Sequence, residues 1–203
     1  MFDKIFANAF FLKQFLHSPG KIGAVCPSSK FLVHALVRTA LEPTRSQSGL
    51  IIDLGAGSGV VSRALLDCGI SPERILAVDI SENFRNIFSK HCDGLELHTG
   101  DARHLDKIIN RYSPSIPLQA VISSLPLRSM PEKIVAEIMH EARNVLRRRG
   151  GIFIQYTYAF WLHSSLKIYG FMPHKSKFVP INFPPALVEL YLPWRQGISL
   201  TKS

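Results

Sequence analysis

Three glycines at alternate positions, Gly55, Gly57 and Gly59, follow an apolar, β-branched run, Leu50–Leu54, that carries one acid, Asp53. Behind them, Val60–Asp67 spaces its apolar residues as a helix does. A buried strand that passes through a tight glycine turn into a helix N-terminus sets backbone N–H groups and bare Cα atoms against a ligand. A second acid, Asp79, closes the next apolar run, twenty residues after Gly59. That spacing suits a carboxylate reaching ribose hydroxyls, as in nucleotide-binding α/β folds. The dinucleotide fingerprint G-x-G-x-x-G/A does not fit, because Val60 occupies its last place; the chain reads D-x-G-x-G-x-G.

The elements that must hold these residues follow from periodicity and punctuation. Lys30–Leu41 reads as a helix with Leu32, Val33, Leu36, Val37 and Ala40 as its core face, capped by Ser28 or Ser29 and stopped by Pro43. Ser81 caps a helix running to about His91, with Glu82 early and Lys90 late as the helix dipole favours. Leu95–His98 and Pro117–Ser124 read as third and fourth strands, and Gly151–Tyr158 as a fifth. Between the last two lies a long helix, Pro131–Arg149, which ends in three arginines. Those arginines complement the helix C-terminus or form a nucleic-acid patch, and the first reading is the cheaper. His174–Asn182 and Ala186–Leu192 read as two further strands.

The first residues are different. Phe2, Ile5, Ala9, Leu12 and Leu16 make one helical stripe, flanked by Phe6 and Phe10 on one side and Phe11 and Phe15 on the other. Lys4, Lys13, His17 and Lys21 add cationic heads. Two readings fit: a helix packed under the domain, or an interfacial helix with aromatics among lipid headgroups and cations on anionic lipid. Asn8 and Lys13 interrupt the run, and no small-residue cleavage site follows, so a signal peptide is a poor fit.

Composition limits the rest. A chain of 203 residues holds one α/β domain with a substantial core. A hydrophobic content of 46% excludes disorder. No apolar run reaches the roughly 20 residues a spanning helix needs. Three cysteines without a C-x-x-C pattern argue against a disulfide framework or zinc site and for a reducing cytosol, and no metal is expected. The net charge of +9 is uneven: residues 1–47 carry six Lys/Arg against two acids, residues 143–203 nine against one, and residues 48–142 nine against twelve. Basic ends around a mildly acidic middle point to an anionic partner, either nucleic acid or a membrane surface, with ordinary solubility as the plain alternative.

The D-x-G-x-G-x-G turn and the acid after the second strand resemble those of the class I S-adenosylmethionine (SAM) methyltransferases. The resemblance implies a Rossmann-like seven-stranded α/β sheet with SAM as cofactor. It puts Gly55, Gly57 and Gly59 under the methionine half, Asp53 near its ammonium, Asp79 on the ribose and Asp101 on the adenine amine. Ala56, Ile80, Ala102 and Ser124 line the same pocket. The loop before Lys30 lines the active-site mouth, and Lys30–Leu41 closes over the cofactor.

The end of the fourth strand bears on substrate. Adenine-N6 methyltransferases carry an Asn/Asp-Pro-Pro-aromatic motif there, or Asn-Leu/Ile-Pro-aromatic in ribosomal RNA dimethylases. Here Ser124-Leu125-Pro126-Leu127 keeps the Leu-Pro and lacks both amide and aromatic. A flipped base without a stacking face forgoes roughly 1–3 kcal/mol. A closer resemblance, to the bacterial soluble-type phospholipid N-methyltransferases, rests on four blocks. They are Phe15-Leu16-x-Ser18-Pro19, Gly23-Ala24-Val25-x-Pro27-Ser28-Ser29, Leu125-Pro126-Leu127-Arg128-x-x-Pro131 and Gln155-Tyr156-Thr157-Tyr158. Many relatives carry Glu where this chain has Asp53, a swap that keeps the chemistry.

That resemblance implies methylation of the phosphatidylethanolamine amine toward phosphatidylcholine, at the cytoplasmic inner face of a membrane that the chain joins peripherally. Residues 1–41 then serve as membrane-contacting helix and active-site cover, and 42–203 as the SAM-binding core. Tyr156, Tyr158 and Trp161 offer aromatic walls for a methylated ammonium, with core packing the plain alternative for each. Arg128 offers a phosphate contact, or else a helix-entry surface charge. No His or Glu base is evident at the strand ends, so water or a tyrosine is left to relay the proton. A phospholipid and an anionic membrane are the expected partners, and nucleic acid is not. The competing readings are an RNA adenine methyltransferase and a SAM-fold protein that turns over nothing.

Overall fold

The computed structural model describes residues 30–42, 48–157, 166–181 and 185–194. Its elements in chain order are α1 (Lys30–Leu41), β1 (Leu50–Leu54), α2 (Val60–Asp67), β2 (Ile75–Asp79), α3 (Arg85–His91), β3 (Leu97–Thr99), α4 (Leu105–Tyr112), β4 (Leu118–Ser123), α5 (Glu132–Arg149), β5 (Ile152–Thr157), β6 (Phe171–Val179) and β7 (Ala186–Pro193). The first-residue helix, the 43–47 connector with Pro43, Tyr158 and Trp161 lie outside the described residues.

The strands form one sheet in the order β3-β2-β1-β4-β5-β7-β6. β1 to β5 run parallel, and β7 enters antiparallel between β5 and β6. β1, β2 and β4 are buried along their whole length. This is why they read as mostly apolar runs without alternation: helices cover both faces of a parallel sheet. On one face α1 and α2 set Leu32, Leu36, Val61 and Leu65 against Ile51, Ile75, Ala120 and Ile154. On the other, α4 and α5 set Leu105, Ile109, Ile138, Met139 and Leu146 against Ile52, Val121, Phe153 and Tyr191.

The structure corrects several expected boundaries. The stretch after Ser81 is a short 3-10 turn, Glu82–Phe84, followed by α3; the Ser81 hydroxyl accepts from the Asn83 N–H at 3.3 Å. β3 starts two residues later than expected, at Leu97. β6 starts at Phe171 and runs through Pro173, which an edge strand tolerates, with a register shift between Pro173 and Lys175. α4 has no counterpart in the sequence reading. The α5 arginines tie α5 to α4: Arg148 and Arg149 lie 3.0 and 3.8 Å from Asp106, and Arg149 also donates to the Pro114 carbonyl at 2.8 Å.

Candidate active site

The glycine turn sits at the carboxyl end of β1, and each glycine has its own reason to be there. All three have positive φ: +82° at Gly55, +52° at Gly57 and +85° at Gly59. A Cβ at Gly59 would lie 2.6 Å from Cys92 Sγ and 2.9 Å from the Phe88 ring, so this glycine lets the turn pack on α3. A Cβ at Gly55 would lie 2.9 Å from Leu125 Cδ2, in the loop after β4. A Cβ at Gly57 would meet nothing within 4 Å. Gly57 therefore leaves open space over the turn, the cradle a ligand would fill. His91 and Cys92, from the far end of α3, bond the carbonyls of Ser58 and Gly59 at 2.9 and 3.3 Å and hold the turn down.

Asp79, 7% exposed, closes one side of the cradle. Its Oδ2 accepts from the Gly57 N–H at 2.9 Å, and its Oδ1 from the Ser81 N–H at 2.9 Å. Each carboxylate oxygen has two lone pairs, so both keep acceptor capacity for a diol. Burial raises its pKa above the ordinary carboxylate value, against the three backbone N–H bonds that lower it. Ile80, beside it, is exposed at 61%.

Asp53 does not reach the open cradle. It is fully buried, and its Oδ2 accepts from the Ser62 N–H at 3.0 Å and the Ser62 hydroxyl at 2.6 Å. Gly59, at the N-cap of α2, has no side chain to cap with, so Asp53 satisfies the first turn from the neighbouring strand. Its Oδ1 is buried without a hydrogen-bond partner. Burial pushes its pKa up to about 6, with Ser62 opposing and the Asp79 charge adding to the rise.

Asp101 begins the turn Ala102–His104 after β3, and its Oδ1 accepts from the Arg103 N–H at 2.9 Å. The Arg103 guanidinium binds its Oδ2 at 2.6 and 2.9 Å and reaches Glu137 of α5 at 3.2 Å. Those Arg103 bonds hold the Asp101 carboxyl below its ordinary value. Ala102 is buried beneath the turn, and the Ser124 N–H continues the sheet to the Leu54 carbonyl at 2.8 Å.

The expected substrate residues separate. Arg128 is exposed in the turn Leu127–Ser129 that follows β4. Tyr156 is half-buried and packs on the α1 face of the sheet. Between them, Gln155 donates Nε2 to the Leu125 and Tyr156 carbonyls at 3.2 and 3.0 Å, and its Oε1 is buried without a partner. Gln155 was quoted in the sequence only as part of a block. Glu189, also missed, is 6% exposed on β7 and pairs in register with Gln155. Its signal was available, as it is the single acid in residues 143–203 and stands inside an apolar strand.

The donor and acceptor set fits an adenosyl cofactor: an open glycine cradle, a carboxylate with spare lone pairs and a second carboxylate one strand further along. Residues 51–150 match the family described as methyltransferase domain. Among solved structures, the chain is similar to magnesium protoporphyrin IX methyltransferase (ChlM) from Synechocystis with bound SAM. That similarity has TM-score 0.60 and 14% identity over 94% of this chain and 97% of that one. A TehB-like SAM-dependent methyltransferase from Corynebacterium glutamicum matches with TM-score 0.56 and 13% identity over 91% and 97%. TrmN from Thermus thermophilus matches with TM-score 0.57 and 17% identity over 79% of this chain, which spans 47% of TrmN. No curated protein sequence matches the chain. With the seven-stranded sheet and the glycine–carboxylate site in place, residues 51–150 form a methyltransferase domain within the class I SAM-dependent methyltransferase fold.

Proposed function

We propose that the chain methylates the amine of phosphatidylethanolamine and its partly methylated forms toward phosphatidylcholine, from the cytoplasmic face of the membrane. The observation that carries this reading is the contact made by the loop after β4. There the side chain that reaches the glycine turn is the aliphatic Leu125, 2.9 Å from a Cβ placed on Gly55. Neither an amide to accept a base's exocyclic amine nor an aromatic to stack it stands in Ser124–Leu127. The resemblance of residues 15–29 and 125–131 to the lipid enzymes supports the same substrate.

When bound, SAM supplies an electrophilic methyl on a sulfonium. The protein's part is alignment and exclusion of water around an amine, which can provide several kcal/mol of rate. No helix among the described residues is long and apolar enough to cross a membrane. Access to lipid is assigned to the apolar, basic segment of residues 2–16, which binds anionic bilayers reversibly; α1, packed on the sheet, joins residues 42–203 in the catalytic core. Tyr156 and Tyr158 are proposed as aromatic walls for the ammonium and Arg128 as the phosphate contact.

The test is methyl transfer from labelled SAM into vesicles of phosphatidylethanolamine and an anionic lipid, with the products separated by thin-layer chromatography. Labelled mono-, di- or trimethylated lipid is expected. The basic ends of the chain favour RNA as the second reading. Label in RNA instead of lipid, with affinity falling steeply as salt rises, would establish it.

A further inference from the structure

The glycine turn is a run of peptide planes, most of them pinned by hydrogen bonds. Gly55 and Ala56 both donate to the Val78 carbonyl of β2, at 2.8 and 3.0 Å. The Ala56–Gly57 peptide is held at both ends. Its N–H reaches Asp79 Oδ2, and its carbonyl accepts from the Gly59 N–H at 2.9 Å. The Ser58–Gly59 peptide is held in the same manner, by that Gly59 N–H at one end and by His91 at the other. His91 Nδ1 lies 2.9 Å from the Ser58 carbonyl. Between these two lies the Gly57–Ser58 peptide, whose carbonyl and N–H have no protein partner among the described residues. It adjoins the position where a Cβ on Gly57 would meet nothing within 4 Å. An acceptor and a donor are therefore held ready beside the open cradle while both neighbouring peptides keep their planes.

His91 is the last residue of α3 and is exposed. Its own carbonyl accepts from Arg63 Nη1 of α2 at 3.4 Å. Cys92, which follows it, is wholly buried against the turn and bonds the Gly59 carbonyl. Cys92 thus fixes where α3 ends, and the neighbouring imidazole spans to Ser58. A carbonyl oxygen only accepts, so Nδ1 carries a proton in the neutral ring and in the cation alike. An exposed side chain of this kind contributes little to the stability of the fold. Its bond goes instead to a peptide that borders the unpartnered one.

We infer that His91 is a positioning residue for the cofactor: by holding the Ser58 carbonyl it presents the Gly57–Ser58 peptide to SAM. The turn is then ordered before SAM arrives, and binding costs less of the chain's freedom. His91 acts through the turn, so the inference holds whether the methyl acceptor is a lipid or RNA.

Three replacements in the full chain test it. His91→Asn sets an amide N–H at the same number of bonds from Cα as Nδ1. His91→Gln sets it one bond further out, and His91→Phe keeps a ring without a donor. Calorimetric titration with SAM and with S-adenosylhomocysteine reads affinity, and thermal unfolding of the ligand-free chain reads stability. His91→Phe and His91→Gln are expected to bind both ligands about three- to tenfold more weakly, as befits one lost hydrogen bond. Their melting temperatures should stay within a few degrees of wild type. His91→Asn is expected to bind within about twofold of wild type. Undiminished affinity in His91→Phe overturns the proposal, and so does failure of His91→Asn to restore it. Weakened binding that follows a fall in melting temperature across the variants assigns His91 to the fold and overturns it as well. Should His91→Phe fail to fold, the contrast between His91→Gln and His91→Asn decides.

Discussion

The Asp79 carboxylate holds the Gly57 amide at 2.9 Å, so the acid after β2 and the turn after β1 are one unit before any ligand arrives. The second oxygen is held in the same way by Ser81. Asp79→Asn replaces one acceptor oxygen with a donor facing an N–H. The cost should be about 1–3 kcal/mol of stability, and SAM affinity should fall by about tenfold or more because a charge-assisted acceptor is lost. Calorimetric titration with SAM and urea unfolding read the two effects separately. Unaltered affinity would remove Asp79 from the site.

The glycines of the turn should differ in what they lose. Gly59→Ala meets Cys92 and Phe88 at under 3 Å with φ at +85°, so strain and overpacking combine. A loss of about 2–5 kcal/mol in denaturant unfolding is expected. Gly57→Ala meets open space at φ +52°, so its stability should fall by only about 1 kcal/mol. Its effect should appear as weakened SAM binding. Equal stability losses at the two positions would contradict the cradle.

Asp53 gives the fold a pH dependence of stated sign. Burial lifts its folded-state pKa to about 6, above the ordinary carboxylate value of 3.8. The stabilising contribution is therefore complete below about pH 4 and is lost as pH rises through 6. A shift of that size corresponds to about 3 kcal/mol. Asp53→Asn abolishes the titration. Relative to wild type, its unfolding free energy should move in the variant's favour by about that amount between pH 4 and pH 7, in paired urea titrations. A constant difference across this window would refute the assignment.

Arg103 links the Asp101 turn to α5 through Glu137, with about two-fifths of its side chain exposed. Such a half-exposed pair contributes little to stability, because solvent screens it. Arg103→Met should leave the melting temperature within a few degrees and weaken SAM binding severalfold. High salt should shrink the difference between variant and wild type. A large loss of stability would assign Arg103 to the fold instead.

The membrane proposal is tested on residues 1–16. The double variant Phe6→Asp, Phe10→Asp should abolish co-sedimentation with anionic vesicles while leaving SAM affinity intact, because it removes apolar area and adds charges repelled by anionic lipid. Persistence of vesicle binding would reject the interfacial helix.

What the sequence made legible was whatever a strong local signal forced. Buried parallel strands announced themselves as apolar runs, and the glycine turn by its spacing. The amphipathic faces of α1 and α5 were equally plain. Pro173 hid the start of β6, because its missing N–H reads as a break and only the edge position makes it harmless. α4 was missed because eight residues give barely two turns of periodicity, and its packing on α5 decides it. The Asp53 contact with Ser62 is tertiary: the acid was visible and its partner was not. Glu189 was overlooked for the same reason, since only the pairing of β5 with β7 places it beside Gln155.

The order β5-β7-β6 has a consequence for assembly during synthesis. β6 leaves the ribosome before β7, yet its neighbour in the sheet is β7 and not β5. Until β7 has emerged, β5 keeps an open edge and β6 has nothing to pair with, so this half of the sheet closes only when the later strand inserts between them. Unpaired strands in a nascent chain are sites of aggregation. A nascent chain stalled with β6 outside the exit tunnel and β7 still inside should therefore be bound by chaperones, and emergence of β7 should free it in a single step.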